Sequence, residues 1–186
     1  MRKLAVTLVS LLSLACSGGG QGGSVEACDQ QCIDRSALRG VRETLKLVYN
    51  LTLQGNPVGA QDESTPCPTG GGARVFGEAS SSPTQGTTRV DLTYELADCG
   101  YTQRDETPDE NYALVIRGSF RQTGTIAVQP ATTTALLIDA DGVSLEGTVY
   151  DPPIAYSERD CVVDLAQDGD RLLGTLCGRE ATIDDL

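Results

Sequence analysis

The groups in this chain that could do chemistry are its cysteines and its carboxylates. Seven Cys and 26 Asp+Glu are spread over 186 residues, with no His and no Trp. Without imidazole there is no Ser–His or Cys–His nucleophile pair, no His metal ligand and no imidazole pH switch. The run from Arg104 to Glu110 gathers Asp105, Glu106, Asp109 and Glu110. Their oxygens suit Ca²⁺, but a solvated connecting loop explains the run without an ion. Asp139, Asp141, Gly142 and Glu146 look like half an EF-hand loop and lack its third carboxylate and spacing. A carboxylate pair could hydrolyse a glycosidic bond, yet nothing singles out one pair, and with no Trp and two Phe there are few sugar platforms. Ser80, Ser81 and Ser82 have no base and read as a polar hairpin loop. Thr69 to Gly72 lacks the Lys-Ser/Thr of a phosphate loop. No catalytic residue, metal site or cofactor is expected.

The cysteines divide into one and six. Residues 1–15 carry Arg2 and Lys3 before an apolar core from Leu4 to Leu14, too short to span about 30 Å of hydrocarbon, and so read as a signal peptide. Ala15 followed by Cys16 resembles a bacterial lipobox, with Ser13 where the commonest pattern has Leu. Cleavage between Ala15 and Cys16, with lipid on Cys16, is the expectation. Residues 16–24 then read as a flexible Gly/Ser tether. Removing the leader with its two basic residues shifts the net charge from −12 to −14. That charge argues against a reader of nucleic-acid phosphates.

The remaining cysteines are even in number, and a secreted chain permits disulfides. Several connectivities are open. Cys67 with Cys99 and Cys161 with Cys177 each bracket a hairpin, which leaves Cys28 and Cys32. A two-residue Asp168-Gly169 loop sets Cys161 opposite Leu176, so its bridge to Cys177 needs a longer loop or a bulge. Cys28 and Cys32 fit poorly inside a regular helix unless its first turn opens.

The elements that position these groups are mostly strands. Residues 25–55 are the helical segment: Leu38, Val41, Leu45 and Val48 lie on one helical face, and the helix is expected to run to about Asn50. Leu45 to Leu53 also alternate as a strand would, and Gly40 would weaken the helix or end a first short one. A polar loop is expected from Gly55 to Gly72. Residues 56–186 form a disulfide-stapled β domain. Val90, Leu92, Tyr94 and Leu96 alternate with polar residues, as do Tyr112, Leu114, Ile116 and Phe120, the same phase running on to Ile126 and Val128. A bend is expected at Gly118 or Gly124. Residues 134–150 and 161–177 align without gaps, which reads as two hairpins turning at Asp141-Gly142 and Asp168-Gly169. The fold class is mainly β: an antiparallel meander of about seven or eight strands, sandwich- or barrel-like, with an N-terminal helix.

The leader, the tether, Cys67-Pro68 before a Gly-rich strand, a strand ending in Asp98-Cys99 and the closing Gly174-Thr175-Leu176-Cys177-Gly178 together resemble surface lipoproteins of Gram-negative bacteria such as myxobacteria. The resemblance implies lipid on Cys16 and, with Ser17 after it, the outer membrane of the cell envelope; it carries no activity. The functional expectation is a membrane-anchored, non-catalytic domain that binds an envelope partner or serves structurally. Gly55–Gly72, Ala97–Asn111 and Asp151–Asp160 are the presenting loops, and the acidic one suits a cationic partner. The alternatives are a carboxylate hydrolase of envelope polysaccharide and a lipid carrier with a lined hollow.

Overall fold

The computed structural model describes residues 28–55, 58–82, 86–127 and 133–186. Ala15, Cys16, the leader, the tether and Val128 lie outside them. One helix, α1 (Gln30–Thr52), precedes eight strands: β1 (Gly59–Pro66), β2 (Gly72–Ser82), β3 (Thr87–Gln103), β4 (Tyr112–Ala127), β5 (Ala135–Val149), β6 (Ile154–Asp168), β7 (Arg171–Leu176) and β8 (Arg179–Ile183). They form one antiparallel sheet in sequential order, with β1 and β8 as its two unpaired edges. The sheet does not close.

The helical period prevails over the strand-like one in α1. Leu38, Val41, Leu45 and Val48 are all buried, whereas Leu51, in the alternating set, is half exposed. The helix continues through Gly40. A Cβ there would stand 2.6 Å from Leu114 Cδ1 and 3.2 Å from Tyr112 Cδ2, so the missing side chain lets β4 approach the helix closely. Asp29 caps the N-terminus, its carboxylate accepting the Cys32 N–H at 2.9 Å. The apolar face of α1 meets β1 to β6 and β8. For one helix to reach both edges the sheet must curl around it, and α1 fills the concave side.

Alternation holds along each strand, with one-residue corrections. In β3 the inward set is Val90, Leu92, Tyr94 and Leu96, then Cys99 after a register shift beside Asp98 (φ 52°). In β5 it is Leu136, Ile138 and Ala140, then Val143, Leu145 and Val149. In β6 Tyr156 gives way to Cys161, Val163 and Leu165 across Asp160 (φ 53°). Each extra residue is a β-bulge, which bends a strand and raises its twist. On β4 the bend falls at Gly118 (φ 132°), where a Cβ would press within 2.5 Å of Val143 Cγ1.

Three expectations are corrected here. Asp141-Gly142 is not a hairpin turn but the bulge within continuous β5, because β4 runs on and pairs Tyr112 to Arg117 with Val149 to Ser144. Residues 55–72 are not one loop. β1 runs through the middle of that stretch as an edge strand, exposed on both faces and therefore without an alternating pattern. Ser80 to Ser82 belong to β2 rather than to a hairpin loop.

Three disulfides staple this frame. Cys67–Cys99 ties the β1–β2 connection to β3. Cys28–Cys32 joins the residue before the helix cap to the third helical residue, so only its Cys32 end stands in the helix. The β6–β7 turn is Gly169-Asp170, with Asp168 paired to Arg171, two positions from the expected register. Cys161 then meets Cys177 across a local irregularity: Cys177 has φ 53° and donates its N–H to Val162 O at 2.9 Å.

Candidate functional site: a cavity at one end of the helix

Two of the four carboxylates in the acidic loop expected to suit a cationic partner are paired within the chain. Asp109 meets Arg35 at 3.1 Å and Glu110 meets Arg39 at 3.6 Å, both arginines standing on α1. Buried Asn111 organises the loop, accepting the Asp105 N–H at 3.0 Å and donating to Thr107 O at 2.8 Å. Among the described residues no group of three or more Cys, Asp or Glu is placed to hold a metal ion. The expected presenting loops are also shorter than drawn, because β3 runs to Gln103 and β6 begins at Ile154.

Asp34 is 2% exposed on α1 and is taken by Arg179 of β8, whose Nε and Nη2 donate at 2.7 and 2.9 Å. Gln30 donates to the same carboxylate, and Arg179 also holds Glu158. This cluster pins the helix to β6 and β8. On the convex face, hydrogen bonds from Arg74 and Arg121 hold the Asp62 and Asp91 carboxyls below the usual carboxylate range. A proton-donating acid needs the opposite shift.

Among the hollows of the described residues, one of about 510 Å³ lies where the C-terminal half of α1 faces the ends of β4, β5 and β6 and has mostly apolar walls; its size is within the range of small-molecule sites. Leu136 and Gln167, paired across β5 and β6, both line it. Leu45, Leu136 and Ile138 give apolar walls, and Asp170 is the one side-chain carboxylate lining it among the described residues. Tyr49 also lines it, its hydroxyl pKa raised by burial.

Beside the charged Arg42, Lys46 and Asp170 stand neutral polar groups that an inventory of titratable residues misses. Gln167 Nε2 donates to Gly169 O at 2.8 Å, and Thr134 Oγ1 accepts the Ala127 N–H at 3.1 Å. Gln122 is buried beside them. A sequence signal existed: Gln122 falls in the inward phase of Tyr112, Leu114, Ile116 and Phe120, where an amide is out of place. Of the predicted site residues, the six described cysteines are structural and none lines this cavity. No family model, curated protein or solved structure compared with this chain matches it.

Proposed function

We propose that the chain is an envelope lipoprotein, anchored by lipid on Cys16, whose β domain binds rather than catalyses. The observation that carries the reading is the cavity beside α1: apolar walls, neutral amides, Arg42 and Lys46 and, among the described residues, a single side-chain carboxylate, Asp170. Glycoside hydrolysis by a carboxylate pair needs two such groups roughly 5–9 Å apart across the substrate. A long-chain lipid carrier needs a hollow running through the sheet, and here α1 occupies the concave side. Three disulfides suit an oxidising compartment outside the cytoplasm. A short anchor and a flexible tether would hold the domain near the membrane while it samples its neighbours.

The test is expression in a Gram-negative host with labelled fatty acid. Label on the wild-type chain, and release of Cys16→Ser from membranes, support the anchor; unlabelled protein or unchanged retention of the variant defeats it. Pull-down of the lipidated protein from envelopes, beside a turnover screen on peptidoglycan and polysaccharides, tests the domain. Turnover that disappears in Asp170→Asn would replace binding by catalysis.

A further inference from the structure

The cavity wall contains an acceptor that the protein leaves unused. Gln122 is 7% exposed, and its Oε1 is buried with no hydrogen-bond partner. Its polar neighbours Gln167 and Thr134 are both satisfied internally. A buried carbonyl oxygen without a donor costs folding stability, whereas an apolar side chain of similar shape would not. Arg42 and Lys46, which line the cavity, both pair with Glu43, and Asp170 lines it with them. At about 510 Å³ the cavity lies in the size range of small-molecule sites.

We propose that this cavity takes a compact neutral amphiphile, its apolar body against Leu136 and Ile138 and its hydroxyl or amide N–H donating to Gln122 Oε1. The proposal rests on the binding reading above and names the ligand class for it. The apolar walls supply affinity without direction, and the single orphan acceptor supplies orientation, the division of labour usual in small-molecule sites.

The test uses the disulfide-intact chain and a matched pair of probes, 1-naphthol and 1-methoxynaphthalene, titrated calorimetrically. They differ in the hydroxyl donor. Saturable one-to-one binding of 1-naphthol is expected, with the ether weaker by about three- to tenfold, the ratio set by one net hydrogen bond. Gln122→Leu should erase that preference and, without ligand, should melt at the wild-type temperature or above it. A glutamine kept only for structure would instead lower the melting point when replaced. Ile126→Trp at the half-buried rim should block both probes in a protein with unchanged circular dichroism, and it decides the matter if Gln122→Leu does not fold. Equal binding of the two probes, a preference that survives in Gln122→Leu, or no saturable binding of 1-naphthol overturns the proposal. After the last result the envelope pull-down still tests the binding reading independently, so the two failures are separable.

Discussion

Replacing Arg179 by Met isolates the energetics of the helix anchor. The substitution keeps the aliphatic stem that packs on β8 and removes both guanidinium hydrogen bonds to Asp34, at 2.7 and 2.9 Å. Asp34 is then a carboxylate 2% exposed, with Gln30 as its remaining side-chain donor at 3.0 Å. Breaking a buried pair from one side costs about 3–5 kcal/mol. Because the Arg179 side chain is 34% exposed, water can enter where it stood, so the lower end of that range, about 3 kcal/mol, is expected. For a chain of this size that lowers the melting temperature by roughly 6–12 °C. Because Arg179 also holds Glu158, the triple variant Asp34→Leu/Glu158→Gln/Arg179→Met removes every charge of the cluster and should recover to within about 1 kcal/mol of wild type, since apolar groups of similar bulk replace a buried ion pair at little cost. Urea unfolding followed by far-UV circular dichroism, with the disulfides intact, measures both. A cost below about 1 kcal/mol for Arg179→Met, the value of an exposed pair, would refute the reasoning that burial of Asp34 makes this contact the clamp between α1 and β8.

The disulfides should rank by the chain they close. Loss of Cys67–Cys99, with a separation of 32, is expected to cost about 4 kcal/mol in urea unfolding, and loss of Cys28–Cys32, with a separation of 4, about 2 kcal/mol. At Gly40, Ala should be near neutral, as gained helix propensity of about 1 kcal/mol offsets the 2.6 Å contact with Leu114. Leu at the same position should destabilise by about 1–3 kcal/mol through overpacking. Burial pushes the Tyr94, Tyr112 and Tyr156 hydroxyls above their ordinary value of 10.0. A folded-state pKa raised above the unfolded one gives stability that is complete below about pH 10 and lost as pH rises past it. In an alkaline absorbance titration these phenols should ionise only as the circular dichroism of the fold disappears; ionisation of all six Tyr in the folded state would contradict their burial.

Much of the architecture was legible because it follows from period and phase. Leu38, Val41, Leu45 and Val48 marked the buried face of α1, and the even-numbered apolar residues of β3 and β4 marked the concave face of the sheet. Bracketing a hairpin ranked Cys67–Cys99 and Cys161–Cys177 first among the open connectivities, and both bridges form. What escaped depends on neighbours. β1 has no apolar phase because it lies at an edge with both faces exposed. The two Asp-Gly repeats share a local preference for positive φ, but β5 is flanked on both sides, by β4 and β6, over most of its length. Folding back at Asp141-Gly142 would have left the first half of β4 without that partner. Pairing therefore absorbed Gly142, at φ 67°, as a bulge. At the second site no long strand follows, and the chain turns one residue later, at Gly169-Asp170.

The same contrast locates function. The 26 acidic residues are chemically conspicuous because carboxylates can catalyse, yet the buried one is neutralised by Arg179 and two of the acidic-loop carboxylates meet Arg35 and Arg39. Each such carboxylate is explained by the partner that the fold supplies. Gln122 is not: it interrupts an apolar phase, and its carbonyl oxygen is buried without a donor. Stability alone would favour Leu at that position. Arg39 Nε and Tyr94 Oη are buried without partners as well, but of the three residues Gln122 alone lines the cavity. An inward-phase amide beside a cavity is therefore stronger evidence of a ligand than any of the acids on the surface.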